Sequence, residues 1–70
     1  MQENYLKKIG ERIKKLRKEQ KLTLSSLSYK NGLEPSTVSR VEKAQVDVKL
    51  STFLKIAEAL GTKPEELIKE

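Results

Sequence analysis

From Thr23 to Lys43 the chain reads TLSSLSYKNGLEPSTVSRVEK, two short apolar-patterned runs hinged at Asn31 and Gly32. Thr23 suits a helix N-cap, because its hydroxyl can accept from an orphan amide of the first turn. Leu24 and Leu27 then face inward, and the helix ends near Lys30, where Asn31-Gly32 is a turn signal with easy access to positive φ. Pro35 fits the first position of the next helix, where its missing N–H is not needed. Val38 and Val41 give that helix its inward side, leaving Ser36, Thr37, Ser39, Arg40 and Lys43 facing out. Leu33, just past the glycine, can plug between the two helices. Two short helices joined by a tight glycine turn form a helix-turn-helix, here about residues 23–43.

The rest of the chain reads as helix on either side of this unit. Upstream, Leu6, Ile9, Ile13 and Leu16 make one stripe at spacings of three and four, predicting a first helix over roughly residues 3–19. Downstream, a helix from about Leu50 to Leu60 turns Leu50, Phe53, Leu54, Ala57 and Leu60 inward and stops at Gly61. Pro64, Glu65 and Glu66 open a fifth helix, the acids favoured by its dipole, with Leu67 and Ile68 its apolar residues. Gly10, Gly32 and Gly61, with Pro35 and Pro64, punctuate the sequence. Strand-type alternation is confined to Gln45–Leu50, where Val46, Val48 and Leu50 alternate; with no partner strand this is an extended loop. The expected architecture is all-α: one compact five-helix domain spanning residues 1–70.

Composition excludes more than it assigns. The 70 residues contain neither cysteine nor histidine, which removes disulfides, thiolate metal sites and the commonest general base and metal ligand. No glycine-rich phosphate loop and no metal-ligand cluster appears, so neither a cofactor nor a metal is expected, and the chain does not read as an enzyme. No apolar run approaches a membrane span and nothing at the start resembles a signal peptide, so the expected compartment is the cytoplasm. Charge is uneven: the net is +5, and residues 1–21 alone hold eight Lys or Arg against three Glu. A basic face suits a polyanion, although the same lysines also serve a solvated helix.

A helix pinned by Val38 and Val41 can enter the DNA major groove and present its outer side chains to base edges. Ser36, Thr37 and Ser39 are short hydrogen-bonding groups that permit close approach. Arg40 is permanently charged and can bond guanine O6 and N7 bidentately, a contact worth about 1–3 kcal/mol of base discrimination.

The stretch from Leu27 to Glu42 resembles the helix-turn-helix of the Cro/Xre family, the lambda-repressor-like domains. Ile13-Lys-Lys-Leu-Arg17 and Leu54-Lys-Ile-Ala-Glu-Ala-Leu-Gly61 resemble that family's first and fourth helices, so the likeness runs from about Ile9 to Leu67. It implies a five-helix domain that binds operator DNA, usually as a two-fold dimer. Position by position it implies base contacts from Pro35, Ser36, Ser39 and Arg40, and backbone contacts from Arg17, Thr23, Thr37 and Lys43. It also implies a buttressing ion pair between Arg17 and Glu42 that fixes the end of the recognition helix against the first helix. Five positions depart from the family pattern. Leu24 stands where glutamine is common, Ser28 where alanine is preferred, Asn31 for an apolar residue and Ala44 for a glycine. Glu34 takes the recognition-helix N-cap, usually serine or threonine; a glutamate there is repelled by DNA unless it turns toward a base amino group.

The expected function is therefore a sequence-specific DNA-binding transcriptional regulator, a repressor or controller acting on a palindromic operator. One such helix reads only a few base pairs, so a homodimer is expected, with Leu67 and Ile68 at its interface. The partners are double-stranded DNA and a second copy, with no membrane and no small-molecule ligand. An alternative within the same fold is a protein-interaction module, such as an antitoxin component. The small, polar, arginine-bearing outer side of the third helix favours DNA.

Overall fold

The computed structural model describes residues 2–69, with side chains from residue 5 onward. It contains five helices in order: α1 (Gln2–Glu19), α2 (Leu24–Lys30), α3 (Pro35–Glu42), α4 (Leu50–Leu60) and α5 (Pro64–Ile68). No strand occurs among the described residues, and Gln45–Lys49 is an irregular extended link. Three of the helices start where the sequence places a cap or a proline. Thr23 caps α2, its Oγ1 accepting from the Ser26 amide at 3.0 Å, and Pro35 and Pro64 open α3 and α5.

The first four helices end by a shared device. A residue with φ between 57° and 69° (Lys21, Gly32, Ala44 and Gly61) reverses the chain. The next amide then bonds back to the carbonyl five residues earlier, at 3.0, 2.9, 2.9 and 3.0 Å from Leu22, Leu33, Gln45 and Thr62 respectively. Left-handed backbone is the ordinary province of glycine, and two of these four positions carry a Cβ.

The core is one cluster drawn from every helix: Ile13 from α1, Leu27 from α2, Val38 and Val41 from α3, Phe53, Ile56, Ala57, Ala59 and Leu60 from α4, and Leu67 from α5. Helix α1 packs against α3 and α5, α2 against α3 and α4, and α4 against α5. Side-chain bonds to helix-end carbonyls tie the layers: Arg12 Nη1 donates to Leu67 O at 3.1 Å and Gln20 Nε2 to Leu60 O at 2.7 Å.

Three expectations are corrected here. Leu50 and Leu54, expected inward, are 71% and 44% exposed, whereas Ile56 and Ala59 are buried. Seven of the eleven α4 residues are apolar, more than one helix face holds, and the packed stripe is centred on Ile56 and Leu60, turned away from Leu50 and Leu54. Leu67, expected at a dimer interface, is fully buried and belongs to the core, while its neighbour Ile68 is 47% exposed. Finally, Gly10 does not punctuate anything; it lies within α1. A Cβ at Gly10 would stand 2.5 Å from the Glu42 carbonyl oxygen and 2.6 Å from that of Val41. The glycine therefore lets α1 and the end of α3 touch backbone to backbone.

Candidate nucleic-acid interface

The site begins with the turn. The C-cap amide of α2, at Asn31, bonds Ser28 O at 3.3 Å, Gly32 takes φ +67°, and the Leu33 amide returns to Ser28 O at 2.9 Å. Leu33 then packs on the core edge. Two residues of this corner have uses that the sequence did not disclose. Ser28 is buried, and its Oγ donates to Leu24 O at 2.7 Å, which satisfies the hydroxyl within its own helix. Asn31 Nδ2 donates to Lys55 O at 2.7 Å and to Glu58 Oε1 at 3.2 Å, joining the turn to α4.

Helix α3 follows. Its first-turn amides on Thr37 and Val38 bond Glu34 O at 3.0 and 3.2 Å. Val38 and Val41 lie in the core, and on the far side Pro35, Ser36, Arg40 and Lys43 are exposed while Thr37 and Ser39 are half-buried. On this side Ser36 and Arg40 are open to solvent. The six α3-region residues singled out from the sequence thus share one short helix and its C-cap. Thr23 stands exposed at the start of α2, ahead of them in the chain.

The other end of α3 is held from behind. Arg17 Nε donates to Glu42 Oε2 at 2.7 Å and Arg17 Nη2 to Glu42 Oε1 at 3.1 Å, a bidentate pair. Arg17 Nη1 also donates to Leu22 O at 2.8 Å. Only 11% of the arginine side chain and 5% of the glutamate is exposed. The flat guanidinium matches the carboxylate fork and links three segments: α1, the α1–α2 turn and α3. Three of the five guanidinium N–H groups are committed to protein acceptors, so the first work of Arg17 is to orient α3. Gly10 completes this support, and its signal was present in the sequence: a helix-weakening residue inside an otherwise strong helix marks a close approach.

The outer side of α1 is basic: Lys7, Lys8, Lys14, Lys15 and Lys18 are exposed, and Lys15 lines a depression shared with Thr62 and Glu66. On α5, Lys69 donates to Glu66 at 2.9 Å. That hydrogen bond and the ammonium charge hold the Glu66 carboxyl below the usual carboxylate range.

A compact five-helix domain with a buttressed, outward-facing third helix defines a class, and the comparisons name it. A family model described as helix-turn-helix matches residues 13–67, and the chain belongs to that family, of the Cro/Xre type. It is 37% identical over 62 residues to an immunity repressor protein of Bacillus phage phi105, a match spanning 89% of this chain and 43% of that protein. The chain thus spans less than half the length of this curated relative. Among solved structures it is similar to the restriction-modification controller protein C.AhdI from Aeromonas hydrophila, with a TM-score of 0.84 and 40% identity over 89% of this chain and 94% of that one. It is also similar to the P22 c2 repressor protein, solved in complex with a synthetic operator, with a TM-score of 0.79 and 28% identity over 87% and 92% of the two chains.

Proposed function

We propose that this chain is a sequence-specific DNA-binding transcriptional regulator, a repressor or controller that works in the cytoplasm. It lays α3 in the major groove and binds a palindromic operator as a homodimer. The observation that carries this reading is the exposure of Ser36 and Arg40 on a helix fixed on its other side by Val38, Val41 and the Arg17–Glu42 pair. A groove reader must be narrow, polar and rigidly aimed, and α3 is all three. That the similar P22 c2 repressor is solved in complex with a synthetic operator supports DNA as the partner.

Within it, Pro35, Ser36, Ser39 and Arg40 face base edges, and Arg40 takes guanine O6 and N7. Thr23, Thr37 and Lys43 contact the sugar-phosphate backbone, and Arg17 adds a phosphate contact through the N–H groups it does not spend on protein. The second copy docks on the apolar side around Ile68, where α4 and α5 leave large side chains exposed. With Arg17 and Lys43 of two protomers each neutralising a phosphate, affinity falls roughly a hundredfold between 50 and 200 mM salt.

The test is selection of bound sequences from random duplex DNA, followed by titration of the selected site at those two salt concentrations. A palindromic consensus with a steep salt dependence is expected. Equal affinity for selected and random DNA would remove the proposal. Arg40→Ala then assigns the arginine, because loss of preference at one base pair of each half-site marks a base contact and uniform weakening marks a phosphate contact.

A further inference from the structure

Glu34 is the one acid at the N-terminal end of α3, and although its carbonyl accepts the first helical bonds, its side chain makes none to the helix it precedes. It occupies the N-cap with an extended backbone, φ −92° and ψ 138°, but its side chain makes no capping bond. The carboxylate is exposed and has no hydrogen-bond or ion-pair partner among the described residues. Thr23, in the equivalent place before α2, does cap its helix. Aspartate at position 34 would offer the same charge to the helix dipole together with a cap. Next to a polyanion, the bare carboxylate also reduces affinity for every sequence it cannot bond.

We infer that Glu34 is a specificity residue, whose carboxylate accepts a hydrogen bond from the exocyclic amino group of a cytosine or an adenine in the major groove. This rests on the docking of α3 proposed above. An ionised carboxylate only accepts hydrogen bonds. Among base edges in the major groove, donors are found at cytosine N4 and adenine N6, whereas guanine and thymine present acceptors. Glu34 is therefore compensated at the first pair of bases and repelled at the second. Arg40 has the inverse chemistry, donors alone, and suits guanine. Six residues of helix place the two about 9 Å apart along the axis, so they address different base pairs of one half-site. Discrimination by a repulsive element is a standard route to specificity, and it accounts for an acid kept on a surface whose partner is acidic.

Sequence selection with the wild-type chain and with Glu34→Ala, alongside affinity for random duplex, tests this. The wild type should require cytosine or adenine at one position of each half-site, and the selected base itself says which amino group is used. Glu34→Ala should lose about tenfold preference at that position, keep the Arg40-dependent guanine and bind random DNA at least as tightly. An unchanged preference, or weaker binding to random DNA, overturns the assignment while leaving DNA reading intact. A wild type that selects nothing overturns DNA reading and this assignment with it. Should Glu34→Ala fold poorly, Glu34→Ser supplies a neutral side chain that caps the helix, and it must lose the same preference while melting higher than the wild type.

Discussion

The contact between α1 and α3 and the outer edge of α4 enclose the same core from opposite materials. At the first, backbone meets backbone at Gly10, and Arg17 grips both oxygens of Glu42 with little exposure to solvent. At the second, Leu50 and Leu54 stand out from α4, and a shallow apolar depression is lined by Ile9, Val48, Leu50, Phe53 and Ile68. One side is matched to fractions of an ångström and uses directional bonds. The other is non-directional surface that the fold leaves unfilled. The proposed function accounts for the difference. A reading helix has to be aimed, and aim comes from bonds with fixed geometry. A surface for a second copy has to be greasy, because apolar area removed from water drives association without specifying angle.

The comparison breaks hardest at Gly10. Gly10→Ala drives a methyl into the carbonyls of Val41 and Glu42, which belong to backbone that cannot rotate away. Helix propensity favours alanine by about 1 kcal/mol, but separating α1 from α3 also disrupts the Arg17–Glu42 pair. The expected net loss is about 4 kcal/mol, a large share of what a domain this small possesses. Thermal unfolding measured by circular dichroism gives the answer, and a melting temperature within 5 °C of the wild type, a shift of about 1 kcal/mol, would show that α1 and α3 do not touch this way. Glu42→Ala comes next. It removes the charge partner of an arginine whose side chain is only 11% exposed, for an expected loss of about 3 kcal/mol. Because α3 loses its rear support, operator affinity should fall further than affinity for random DNA. Equal losses on both would mean that the pair stabilises the domain without aiming the helix.

The sequence made one side of this comparison far more legible than the other. The α3 face followed from Val38 and Val41 alone, since two β-branched residues three apart leave only one way for an eight-residue helix to sit. Arg17 and Glu42 are 25 positions apart, and no periodicity joins them; their partnership was implied by family resemblance, and the bidentate geometry appears only in three dimensions. Gly10 reads in the sequence only as punctuation, because the backbone it meets lies more than thirty residues away. On α4 the reading went astray because an excess of apolar residues permits two stripes, and the choice between them is made by where α2 and α5 pack. In α5, five residues form little more than one turn, too short for period to separate Leu67, which is core, from Ile68, which is not. Ala44 was marked as standing where glycine is usual, and the structure gives the reason: its φ is 57°.

The apolar edge yields the third prediction, now on assembly. Ile68→Lys and Leu50→Lys change exposed positions, so the stability of the isolated domain should move by no more than about 0.5 kcal/mol. If the second copy sits on this edge, each lysine buries a charge in the interface and weakens dimerisation by about tenfold or more, read as a shift toward monomer in sedimentation velocity. Operator affinity should fall in step, because two half-sites are then bound separately. A sedimentation profile unchanged by both variants would move the dimer contact elsewhere on the molecule.

The smallest effect sits just behind the buttress. Ala44 closes α3 in the left-handed region, as Gly32 and Gly61 close α2 and α4. A residue with a Cβ is strained there by about 1–2 kcal/mol relative to glycine. Ala44→Gly relieves that strain but frees the unfolded chain, which returns about 0.4–1 kcal/mol of the gain. The net expectation is a stabilisation of about 0.5–1 kcal/mol, roughly 3–6 °C in melting temperature for a domain of this size. The change adds no contact to α1, so it should be worth the same in the Glu42→Ala background as in the wild type, within the few tenths of a kcal/mol that independent effects allow. A larger gain once Glu42 is removed would mean that the ion pair is what holds Ala44 in its strained conformation, and that the tight side of the molecule extends through the end of α3 into the link that follows.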